Sequence, residues 1–166
     1  LTRGTIRFRE LVAIIDLVVQ RGYPIRNSEN VAGDILSFSH DGRVSTYSPE
    51  LLGLTDRTYG KFGIGDVRND TILESLTALN DSSIGHDIRA GVDRCRRDCS
   101  YFAICGGGSP SNKLGECKTF CVSETAHCRF AKQVNFDVAM EFIADERYQD
   151  AVLAQARSHS LLANCA

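Results

Sequence analysis

Phe8, Leu11, Val12, Ile15, Val18 and Val19 recur at helical spacing, with Glu10, Asp16 and Gln20 opposite them, and Gly22 and Pro24 end the run. This pattern predicts an amphipathic packing helix. Across residues 34–48 the pattern changes to two β-rich runs around Asp41-Gly42, a strong short-range signal for a hairpin. His40 beside that turn reads as a solvated turn residue. Small and large residues then alternate through Tyr59–Val67, which predicts a short strand or wrapping loop. Asp70 or Thr71 can cap a short helix that buries Ile72, Leu73, Leu76 and Leu79, and Thr71 with Glu74 fits a capping box. A second short helix carries Ile84, Ile88 and Val92 at four-residue spacing and delivers Cys95 at its end. A longer helix beyond Cys128 has Phe130, Val134, Val138, Phe142 and Ile143 on one face, and the Ala- and Leu-rich tail from Glu146 reads as helical.

These elements predict an α+β fold, a small β-hairpin followed by cysteine-rich loops, flanked by short helices and a C-terminal helix. The cysteine-rich part changes the picture most. Six of the seven cysteines lie between Cys95 and Cys128. Cys95, Cys99 and Cys105 open the run at close spacing, and Cys128 stands far downstream. Three close thiolates and a distant fourth suit an iron–sulfur cluster or a zinc ion. Gly106-Gly107-Gly108 favours the cluster, because glycine lets backbone turn tightly and approach a bulky centre. Backbone N–H groups freed in this way can hydrogen-bond its sulfur. Arg94, Arg96, Arg97 and Arg129 flank the thiols and offset thiolate charge, while Tyr101 and Phe102 shield the centre from water. Zinc held by Cys95/Cys99 and Cys117/Cys121 stays open, but it leaves Cys105 and its glycines without a role. Cys117 and Cys121 read as free thiols in a reducing setting, and Cys165 stands too near the end to be chosen as a ligand.

Composition narrows the function classes only a little. The 166 residues are 43% hydrophobic and 24% charged, ordinary values for a folded domain, and the net charge of −2 gives no reason to expect nucleic acid as a partner. No apolar run reaches membrane-spanning length and no secretory signal opens the chain. An odd cysteine count argues against a fully paired disulfide scaffold and for a reducing, cytoplasmic setting. Leu1 opens directly into helical pattern, so the chain reads as part of a longer protein.

The hairpin, Tyr47-Ser-Pro-Glu-Leu-Leu-Gly53, Gly63-Ile-Gly-Asp-Val67, Gly91-Val-Asp-Arg-Cys95, Tyr101-Phe-Ala-Ile-Cys105-Gly-Gly-Gly, Ser111-Asn-Lys113 and Glu124-Thr-Ala-His-Cys128-Arg form a series. Together they resemble the C-terminal SPASM-type region of radical SAM peptide maturases, most closely the cyclophane-forming maturases of glycine-rich-repeat peptide systems. The resemblance covers roughly residues 29–145. It divides the chain into a helical tail of an N-terminal radical SAM barrel (1–28), a SPASM-type auxiliary-cluster domain (29–145) and a C-terminal helical tail (146–166).

In the resembling pattern two auxiliary [4Fe-4S] clusters are bound. Cys95, Cys99, Cys105 and Cys128 match the ligand order of the second. The first gap is three residues where the pattern has two. Ser109 stands where a cysteine ligand of the first cluster is expected, and Asn30, Tyr47 and Ser48 occupy the region of its other ligands. The resemblance therefore implies one auxiliary [4Fe-4S] cluster here. The Cys-x3-Cys-x2-Cys that binds the SAM-cleaving cluster is absent from this sequence, so SAM and a second [4Fe-4S] cluster belong to an N-terminal part. The implied enzyme cross-links side chains of a ribosomally made precursor peptide, and this fragment is expected to be inactive alone. Its partners are that peptide and an external electron donor or acceptor. Glu50, Asn112, Lys113, Glu116 and Glu124 lie in the resembling motifs as proton acceptors, peptide contacts or structural polar groups. A zinc-binding interaction module, a dithiol redox protein built on Cys117 and Cys121, and an autonomous electron-transfer protein are the rival readings.

Overall fold

The computed structural model describes residues 9–20, 26–147 and 150, and the fold is α+β. It divides into two compact units, residues 25–126 and a helical unit made of 1–24 with 127–166.

In the helical unit, α1 (Arg9–Gln20) packs against the helix at Val134–Ala144. Leu11, Val12, Ile15 and Val18 of α1 are half-buried, as their spacing predicts. Phe8, Gly22, Pro24, Cys165 and most of the tail lie outside the described residues.

The larger unit starts with the hairpin. β1 (Leu36–Phe38) pairs antiparallel with β2 (Arg43–Thr46), and Phe38 stands opposite Val44. Gly42 in the connecting turn has φ +88°, a conformation that glycine tolerates without a Cβ clash. After β3 (Thr55–Asp56) and β4 (Gly60–Lys61), which pair with each other, β5 (Gly63–Asp66) joins the far edge of β2. The result is a three-stranded sheet in the order β1-β2-β5.

Helix α2 (Ile72–Asn80) begins at Thr71, whose side chain makes no capping bond. The expected capping box is not formed there, and Leu73, expected to be buried, is 73% exposed. Only Leu79 of that stripe packs on the core cluster. Helix α3 (Ser83–Asp98) is 16 residues long rather than short. Ser82 caps it by accepting from Gly85 N–H, and Ile84, Ile88, Gly91 and Cys95 form its buried stripe. Its last turn carries Arg96 and Arg97, which suit the negative end of the helix dipole. A short α4 (Phe102–Cys105) and α5 (Pro110–Cys117) follow, the latter with proline in its first turn.

The core of this unit joins Tyr47, Leu51, Phe62, Ile84, Ile88, Leu114 and Phe120. Each large apolar side chain so enclosed contributes about 1.5–3 kcal/mol. Tyr59, Phe62 and Phe120 form an aromatic group, with 4.7 Å between the Tyr59 and Phe120 ring centres. Gly91 lets the 120 segment lie directly on α3, because a Cβ there would sit 2.1 Å from Phe120 O.

Candidate functional site

Helix α3 brings Cys95 into the interior at 2% exposure and ends at Cys99, whose N–H closes the helix on Cys95 O at 3.0 Å. Phe102 N–H then donates to Cys99 O, and Cys105 N–H to Tyr101 O, so three cysteines lie on consecutive hydrogen-bonded turns. Gly106, Gly107 and Gly108 follow, buried, with φ of +65°, +110° and +69°. Three successive left-handed residues are practicable only with glycine, which gives the triple-glycine motif a physical reason.

The carbonyls of this turn are held by different partners. Asn27 Nδ2 donates to Gly108 O at 3.0 Å, and Asn30 Nδ2 donates to Gly106 O at 3.1 Å and Gly108 O at 2.9 Å. The Cys95 sulfur lies 3.4 Å from Gly107 O, 2.9 Å from Ser123 O and 3.9 Å from Val122 O. Gly106 N–H is engaged by Phe102 O at 2.8 Å, so it is not directed at a cluster as the glycine argument from sequence expects.

The charge near Cys95 comes from a residue that sequence reasoning placed elsewhere. Lys113, on α5, is 2% exposed and its Nζ donates to Cys95 Sγ at 3.4 Å. Burying an ammonium is costly unless it faces an acceptor or an anion. Cys95 Sγ in turn donates to Gly107 O and Ser123 O, so the buried ammonium faces the lone pairs of a thiol that is itself held by backbone carbonyls. Two of the four expected arginines are occupied differently: Arg96 pairs with Asp93 and lies 5.0 Å over the Phe102 ring, and Arg97 reaches Asp98 at 4.0 Å.

The positions that lack cysteine also come together. Ser48 Oγ lies 3.1 Å from Ser109 Oγ, which lies 2.9 Å from Ser111 Oγ, and Ser48 Oγ donates to Glu29 Oε2 at 3.4 Å. Asn30 and Tyr47 line one cavity beside them. Tyr47 is buried with φ +69°, a rare conformation for so large a residue. Its phenol is pushed above the ordinary value by burial, an effect that Arg89 partly opposes.

Cys105, Cys117 and Cys121 are free thiols, Cys117 being exposed at the end of α5. Cys128 opens a π-helical turn, Cys128–Gln133, in the helical unit. Such turns are rare and often mark functional positions. Among the described residues, no three His, Cys, Asp or Glu side chains stand close enough to share a metal ion. Cys95, Cys99 and Cys105 are thus soft thiol donors in order on contiguous turns, but their side chains as placed do not converge on one point. Of the other motif residues, Glu116 accepts from Ala126 N–H at 2.5 Å, Glu50 is exposed, and Asn112 and Glu124 are half-buried.

No protein-family profile and no solved structure matches the chain. The chain is 36% identical over 127 residues to an uncharacterized protein, sll1766, of Synechocystis sp. (strain ATCC 27184 / PCC 6803 / Kazusa), an alignment covering 76% of this chain and 32% of that protein. The chain thus spans about a third of the relative's length. No described helix is long and apolar enough to cross a membrane.

Proposed function

We propose that this chain is the C-terminal auxiliary-cluster region of a radical SAM enzyme that cross-links side chains in a ribosomally made precursor peptide. Cys95, Cys99, Cys105 and Cys128 would hold one [4Fe-4S] cluster, the loops of residues 95–128 wrapping it. The observation that carries the reading is the buried Lys113 ammonium facing Cys95 Sγ, beside three thiols on contiguous turns and a turn of three left-handed glycines. The meeting of Ser48 with Ser109 supports it further, because these distant positions are where the resembling pattern sets ligands of its other cluster.

When bound, the cluster supplies one-electron chemistry, accepting the electron released as an aromatic ring is restored after cross-linking. This chain's own residues do the rest. Lys113 places positive charge against one ligand sulfur. Asn27 and Asn30 fix the glycine turn, and Phe102 with Arg96 covers its flank. SAM cleavage, the second [4Fe-4S] cluster and the electron donor or acceptor belong to the longer, cytoplasmic protein, and the fragment alone is inactive.

Anaerobic reconstitution with iron and sulfide tests this directly. The expected result is broad absorbance near ~400 nm that bleaches on reduction. A colourless protein that takes up one zinc instead contradicts it. A Cys-x3-Cys-x2-Cys in the full reading frame separates a maturase from a stand-alone electron carrier.

A further inference from the structure

Two cavities, of about 520 and 340 Å3, share Asn30, Val31 and Arg89 in their linings. The larger extends to Tyr47 and Leu76, and the smaller to Phe102 and Gly106, the residue after Cys105. The smaller is lined by three guanidinium groups and a single carboxylate, Asp93. Arg26 is tied to Asp34 at 2.7 Å and Arg96 to Asp93. Arg89 differs. Its Nη1 donates to Asn80 O at 2.7 Å and Asn80 Oδ1 at 2.6 Å, both neutral acceptors, and no carboxylate among the described residues forms an ion pair with it. A guanidinium so placed has donors left for a bidentate anion.

Asn30 lines both cavities. Its Nδ2 is committed to the carbonyls of Gly106 and Gly108, which fixes the amide orientation. Its Oδ1 is consequently left buried without a donor among the described residues. Buried acceptors in native proteins are nearly always satisfied, and an ordered water is the usual partner of such an atom. The larger cavity adds an apolar wall at Val31 and Leu76, and the left-handed backbone of Tyr47 there is the kind of strain that gathers at binding sites.

We infer that these adjoining cavities receive an extended peptide segment bearing a carboxylate. The carboxylate sits on Arg89, and a neighbouring apolar side chain enters the larger cavity against Val31 and Leu76. The choice of a peptide rests on the proposed function; the positive charge and the cavities do not. The carboxylate comes from an acidic side chain or from a peptide C-terminus.

The test is an NMR titration of the whole 166-residue chain, without iron, with four probes. They are acetyl-Gly-Phe-Gly-Asp-Gly-amide, its Asn analogue, the Asn analogue with a free C-terminus, and inorganic phosphate. One carboxylate peptide is expected to bind at least about tenfold more tightly than the neutral one, shifting the Asn30, Val31 and Arg89 amides. Which of the two binds identifies the source of the carboxylate. Arg89→Gln is expected to abolish the preference and Arg89→Lys to retain part of it. Should Arg89→Gln unfold through loss of its bonds to Asn80, Arg89→Lys takes its place and lowers the preference severalfold, since an ammonium cannot hold the carboxylate bidentately. Equal binding of charged and neutral peptides overturns the inference, as does a preference that survives these variants. Phosphate that saturates the same amides and is not displaced by peptide also overturns it, leaving an anion site only. A chain that binds the carboxylate peptide yet takes up no iron keeps this site and sinks the cluster reading, and the reverse result does the opposite.

Discussion

The glycine turn at 106–108 meets two kinds of chemistry. Gly107 O lies against the Cys95 sulfur and so beside the buried Lys113, whereas Gly106 O and Gly108 O are gripped by the amides of Asn30 and Asn27. From the next residue a chain of hydroxyls runs through Ser109 to Ser48 and Ser111. One side keeps sulfur and a countercharge. The other joins the same backbone with neutral hydrogen bonds, each contributing only about 0.5–1.5 kcal/mol. The loop conformation is held from both sides together.

The change expected to cost most strikes both sides at once. Gly107→Ala places a Cβ 3.1 Å from Val92 Cγ2 and 3.2 Å from Asn30 Nδ2, at a φ of +110°. A loss of about 2–3 kcal/mol is expected in urea unfolding. A neutral result would show that the turn is not held as described.

Lys113→Met then separates the sides. With Cys95 as an ordinary thiol, replacing a buried ammonium by a side chain of similar length is close to neutral or stabilising. With Cys95 as a cluster ligand, it lowers the reduction potential of the loaded protein, because a positive charge beside the ligand sulfur is lost. Voltammetry of the loaded variant reads this directly, and an unchanged potential would remove Lys113 from the site.

Tyr59 supports the sulfur side from outside. Its hydroxyl donates to Asp87 Oδ2 at 2.6 Å and accepts from Phe120 N–H at 3.4 Å, two residues before Val122, whose carbonyl faces Cys95. Burial and the bond to Asp87 push its phenol above the usual value of about 10. A raised acid of this kind contributes stability that is fully present below the unfolded value and fades as pH rises through the folded one. Tyr59→Phe is expected to cost about 1 kcal/mol at neutral pH and to remove that alkaline decline. Stability measured against pH across the phenol range checks both.

The smallest effect is expected on the oxygen side. Ser109→Ala breaks half-buried hydroxyl contacts and should cost about 0.5–1 kcal/mol, with iron content unchanged.

The legible parts of this molecule are those set by local chemistry. The hairpin follows from Asp41-Gly42 and its flanking residues, and α3 from the spacing of Ile84, Ile88 and Val92. The length of α3 was not legible, because its second half is rich in Arg and Asp and shows little apolar periodicity. The Thr71 capping box failed although its sequence was right, since the hydroxyl makes no bond to the helix start. Lys113 stands among the motif residues, but its role depends on α5 lying against α3, and residues 18 apart carry no local signal of that contact. The Ser48–Ser109 meeting, 61 residues apart, likewise arises from tertiary packing. Only the pattern of the resembling maturases singled out those two positions in advance.

Iron and sulfide counted per chain after anaerobic reconstitution test the central claim most directly, on the unaltered protein beside Cys105→Ala and Ser109→Ala. The account predicts about four irons in the unaltered chain and in Ser109→Ala, and almost none in Cys105→Ala. Full iron in Cys105→Ala, or no iron in any of the three, would contradict it.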